Sequence, residues 1–111
     1  MEQEITKLTR LWYQMVGLDH HKDRDCHWQI SKVWSYSHEP AYNVEHYGYI
    51  GSFEDREFET HKEASEYLLR GLRDEIDAKR DWANSVLDKP DSWDEYLIGV
   101  AKGIKELTKK I

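Results

Sequence analysis

The sequence predicts an α+β domain: an N-terminal helix, a two- to three-stranded antiparallel β-meander, and two C-terminal helices packed on the sheet. Three observations predict it. Two runs rich in aromatic and β-branched residues, His27–Tyr36 and Tyr42–Ile50, alternate with period two. Apolar residues before and after them recur by threes and fours. Ser/Thr-x-x-Glu boxes, the signature of helix starts, stand at Thr60–Glu63 and Ser92–Glu95.

The first helix spans residues 2–16, with Ile5, Leu8, Leu11, Trp12, Met15 and Val16 on one stripe and Gly17 as its C′ residue. It should dock on the sheet or on the other helices. The next segment runs from Leu18 to His27 and mixes residue types that ligate metals: His20, His21, Asp25, Cys26 and His27. Their spacing matches no zinc signature, and adjacent histidines rarely both ligate one ion, so the segment reads as a solvated connector with no metal. Cys26 is the single cysteine, which rules out an intramolecular disulfide. Cys26 and His27 are neighbours on an extended run and point to opposite faces, a poor nucleophile–base pair.

Strand alternation suggests a register in which Tyr36 faces Tyr42, Trp34 faces Val44, Lys32 faces His46, Ile30 faces Gly48 and Trp28 faces Ile50. The linker Ser37–Ala41 holds Pro40, where it removes no ladder hydrogen bond. Lys32 and His46 would then meet on the core face. They could snorkel and hydrogen-bond at the sheet margin, or converge on an anionic group in a pocket between sheet and helix. The opposite face carries Val33, Tyr47 and Tyr49, an interface candidate unless the first helix covers it.

Phe58, flanked by charges in Ser52–Glu59, fits a short edge strand. The helix opened by Thr60 has Ala64, Tyr67, Leu68, Gly71, Leu72, Ile76, Ala83, Val86 and Leu87 near one stripe. Unbroken from His61 to Leu87 it would be roughly 40 Å long. A break or bend is open to it near Asp74–Lys79, where the stripe is most polar. Pro90 marks the stop. The last helix, capped through Ser92–Glu95, places Trp93, Tyr96, Leu97, Val100, Ile104, Leu107 and Ile111 on one face. Lys102, Lys105, Lys109 and Lys110 suit the dipole at its C-terminal end. Gly99 and Gly103 suggest close helix packing. Trp28, Ile30, Trp34, Leu68, Leu72, Leu97 and Ile104 should share one core.

A single domain suits 111 residues. Five Trp and seven Tyr offset a low aliphatic content, since large rings bury much area. The formal charge of −6 argues against a general phosphate-binding surface, which rests on Lys and Arg. With no signal-peptide pattern and no long apolar segment, a soluble cytoplasmic protein is expected. The sequence holds no Gly-rich phosphate loop, no Gly-x-Ser-x-Gly and no His-Glu-x-x-His. The expectation is therefore a small acidic interaction module, non-enzymatic, without a cofactor, and self-associating as a homodimer. One alternative is a metal- or anion-binding enzyme using the His20–His27 loop or Lys32 and His46. Another is an acidic inhibitor of a nucleic-acid-binding protein. It rests on Glu54, Asp55, Glu57, Glu59, Glu63 and Glu66 around the third strand, and on Asp88, Asp91, Asp94 and Glu95 at the next turn. In element order alone the chain is similar to small acidic phage-encoded inhibitors.

Overall fold

The computed structural model describes residues 2–18, 27–34, 40–47 and 53–109, without the side chains of residues 27, 33, 34, 40, 47 and 53–55. The helix α2 (His61–Asp88) is the spine on which everything else packs. It starts at Thr60, whose extended backbone turns the chain and whose hydroxyl accepts a hydrogen bond from the Glu63 amide at 3.1 Å. The same hydroxyl donates to Glu63 Oε1 at 3.1 Å, so Thr60 caps the helix as its sequence predicts, with Glu63 bonding the Thr60 hydroxyl. The helix then runs without interruption. The break open to it near Asp74–Lys79 does not occur, because the polar residues there divide by face. Asp74 and Asp77 point to solvent, Ile76 is fully buried, and Glu75 turns inward to partners described below.

The N-terminal half of α2 lies across a three-stranded antiparallel meander, β1 (His27–Trp34), β2 (Pro40–Tyr47) and β3 (Phe53–Phe58), ordered β1-β2-β3. The face toward α2 carries Trp28, Ile30, Tyr42, Val44 and Phe58. The register differs from the expected one. Trp28 pairs with His46, Ile30 with Val44, Lys32 with Tyr42 and Trp34 with Pro40. β2 therefore begins at Pro40, at the first position of the strand, where a residue without an N–H is tolerated. The expected and observed registers differ by four residues. An even shift keeps every side chain on its own face and changes only its partner. The inward set was thus predictable and the cross-strand pairs were not. The described side chains on the other face are mostly polar: Gln29, Ser31, Asn43, Glu45 and Glu57. Asn43, at its centre, is buried, and among the described residues its Oδ1 has no hydrogen-bond partner.

α1 (Glu2–Leu18) packs on α2 and on α3 (Glu95–Thr108) rather than over the sheet. It buries Leu8, Leu11, Trp12, Met15 and Val16, and an Arg73–Glu4 ion pair ties its first turn to α2. The helix runs through Gly17, which lies inside it instead of ending it in a left-handed C′ conformation. α3 returns along α2 after a 3-10 turn at Pro90–Ser92. That turn takes Ser92 for itself, with the Trp93 amide donating to Pro90 O. The cap of α3 is therefore Asp94, whose carboxylate accepts from the Leu97 amide at 2.8 Å, and not Ser92. Of the two α3 glycines, Gly103 marks a close approach. A Cβ there would sit 2.9 Å from Leu18 Cδ1, whereas one on Gly99 would meet nothing within 4 Å.

One apolar cluster links sheet and helices, from Val44 and Trp28 through Leu68, Leu72 and Ile76 to Val86, Val100 and Ile104. Ile30 packs against it, half buried. Leu97 is half buried outside it, and the Trp34 side chain lies outside the described residues. Trp93 and Tyr96, expected on the buried stripe of α3, are instead 38% and 44% exposed. Each buried indole contributes roughly 4–6 kcal/mol of transfer free energy, so Trp12, with no exposed surface, is a major anchor of α1.

Candidate functional site

Glu75 is where the layers meet. It lies one turn beyond Gly71 and Leu72 on the stripe of α2 that faces the sheet. Its Oε2 accepts from Trp12 Nε1 at 2.5 Å and from Trp28 Nε1 at 3.2 Å. Its Oε1 lies 2.8 Å from His46 Nε2, in contact but without the alignment of a hydrogen bond. One carboxylate on α2 therefore hydrogen-bonds a side chain from α1 and one from β1, and touches one from β2. The logic is that of the indole, which is a donor only and needs an acceptor once its ring is buried.

The observed register creates the rest of the cluster. Trp28 and His46 are cross-strand partners, and their rings stack 3.8 Å apart and 9° from parallel. The outer edge of the Trp28 ring also comes against α2, and only a glycine allows it. A Cβ on Gly71 would fall 2.2 Å from Trp28 Cη2.

Beside the cluster, a cleft of about 260 Å³ opens between sheet and helix, lined by Trp28, His46, Tyr67, Arg70, Gly71, Asp74 and Glu75. Small-molecule sites run from about 300 Å³ upward, so the cleft is small for one. Its walls carry two carboxylates and one arginine besides His46, a poor setting for an anion. Further along, Arg56 lies over the rings of Phe58 and Tyr67, 5.5 and 5.2 Å from their centroids.

The expected meeting of Lys32 and His46 does not form. Lys32 pairs with Tyr42 and is exposed, four residues along the sheet from the Trp28–His46 pair, a separation of roughly 13 Å. His46 faces a carboxylate instead of sharing an anion with Lys32. The other candidates lie outside the described residues: His20, His21, Asp25, Cys26 and Tyr49 entirely, and His27, Val33 and Tyr47 as to their side chains. Among the described residues, no three His, Cys, Asp or Glu side chains are placed to hold one metal ion, and no helix is long and apolar enough to cross a membrane.

Sequence reasoning missed Glu75 and its link to Trp12. A signal was present: a glutamate at an apolar-stripe position, in a chain whose five Trp each bring an N–H to be satisfied.

No protein-family model matches this chain, and neither a curated protein nor a solved structure does.

Proposed function

We propose that this is a non-enzymatic interaction protein that associates with itself. The observation that supports the reading is a surplus of apolar surface on the helical layer. Leu18, Trp93 and Tyr96 are all among the exposed large apolar residues, although Trp93 and Tyr96 fall on the apolar stripe of α3. Leu18 and Tyr96 touch, through a Tyr96 hydroxyl that donates to Leu18 O at 3.3 Å. Tyrosine and tryptophan in such a place combine apolar area with a polar tip, the composition of an interface core. The Glu75 cluster favours the same reading, because its carboxylate is engaged by three side chains and has a structural task already. Sedimentation equilibrium over a dilution series tests it. A mass that rises from one chain to two with concentration is the expected result, and a single-chain mass at high micromolar concentration overturns it.

A second reading, an acidic inhibitor of a nucleic-acid-binding protein, has its own support. Glu57, Glu59, Glu63 and Glu66 are exposed along the end of β3 and the start of α2. Competition against DNA for a basic DNA-binding protein tests that reading, with displacement at low salt as the expected outcome.

A further inference from the structure

The seam between α1 and α3 has two unlike ends. At one end a groove of about 550 Å³ lies between α1 and Leu107, with Leu11 in its wall. Its charged rim is Lys7 and Arg10 against Glu2. At the other end Leu18 rests on Gly103 and Tyr96, with Trp93 close by in sequence. The turn that leads into α3 at that end carries exposed Asp88, Asp91, Asp94 and Glu95, against Lys89 as its exposed cation. The groove is therefore apolar with a basic rim, and the patch is aromatic with an acidic rim. They are separated by about 16 Å along α1, from Lys7 to Leu18.

We infer that the groove of one copy receives the aromatic patch of a second copy, across a two-fold axis that crosses the α1–α3 seam. The inference rests on self-association as proposed above and assigns it a surface. A two-fold arrangement turns the seam end for end, so each groove meets a patch and each patch meets a groove. Charge complementarity selects a second copy of this chain as the occupant: Lys7 and Arg10 would face the carboxylates beside Trp93. The side-by-side alternative, in which like ends meet, would set Lys7 and Arg10 against their own copies.

Charge reversal in two halves tests this. One variant carries Lys7→Glu with Arg10→Glu, making groove and patch both acidic. The other carries Asp88→Lys with Asp91→Lys, making both basic while leaving the Asp94 cap intact. Each variant alone should bind itself at least tenfold more weakly than wild type by sedimentation equilibrium. An equimolar mixture should form a heterodimer, because both of its contacts again join opposite charges. Tyr96→Ser, which removes a large ring and no charge, should weaken the wild-type dimer as well. Circular dichroism should show the same helix content in all three variants. Variants that self-associate as wild type does, or a mixture that fails to pair, overturn the inference and leave self-association standing on another surface. A wild type that stays monomeric at high micromolar concentration overturns both.

Discussion

At the scale of single residues, the balance of two effects at one atom decides the sign of a substitution. Alanine is favoured over glycine in a helix by up to about 1 kcal/mol. Gly99 faces open space, so Gly99→Ala should collect that gain and raise the denaturation midpoint. Gly71 lies against the outer edge of the Trp28 ring, where a methyl group cannot fit unless the ring shifts. Gly71→Ala should therefore destabilise, by about 1–3 kcal/mol, the usual cost of overpacking a core. A stabilised Gly71→Ala would show that the ring moves aside at little cost. Glu75→Ala leaves both indole N–H groups without their acceptor and removes the partner of His46. Its expected cost is on the order of 2–4 kcal/mol, because each buried donor left unpaired bears its own desolvation. Trp12 fluorescence should shift in the same variant. A Glu75→Ala protein with unchanged midpoint and emission would remove Glu75 from its place as the junction of the layers.

At the scale of elements, the caps show what could be read from the sequence and what could not. Thr60 was legible because the local pattern and the local structure coincide: the hydroxyl caps Glu63 within one turn. The cap of α3 was misplaced by two residues because Pro90 organises a 3-10 turn that the pattern at Ser92 does not reveal. Asp94→Ala should thus cost about 1 kcal/mol and lower helix content, while Ser92→Ala should change stability by a few tenths at most. Equal effects at the two positions would return the cap to Ser92. The strands teach the same lesson at longer range. Alternation fixes which side chains of β1 and β2 face α2, but registers that differ by two or four residues share that pattern. Trp28 was therefore placed on the correct face and given the wrong partner, and the stack with His46 stayed hidden. Glu75 was hidden for a different reason. A glutamate on an apolar stripe reads as an interruption until the donors from α1 and β1 arrive from 63 and 47 residues away.

At the scale of the whole molecule, the question is whether the two ends fold as one. The radius of gyration is 16.2 Å, against about 13 Å for a spherical domain of similar length, and the long axis extends 57 Å. The sheet occupies the N-terminal half of α2, and the other half carries α3. Such a shape could unfold in two steps, with the sheet opening first. Two features oppose that. The apolar cluster is continuous from Val44 to Ile104, and α2 crosses the boundary as one hydrogen-bonded helix. Glu75 adds a third, since its carboxylate joins Trp12 of the helical layer to Trp28 of the sheet. The expected result is one cooperative transition, with far-ultraviolet circular dichroism and tryptophan fluorescence giving the same midpoint. Dichroism follows mainly the helices, whereas fluorescence reports both layers, Trp12, Trp82 and Trp93 the helical one and Trp28 the sheet. Glu75→Ala removes the polar link and spares both the helix and the apolar cluster. It should lower both midpoints together, by roughly 4–8 °C for each kcal/mol lost. Were the fluorescence change to split into two steps, the earlier without loss of dichroism, the sheet would be a separately melting unit held to the helices by Glu75, and the apolar cluster would not be enough to couple them.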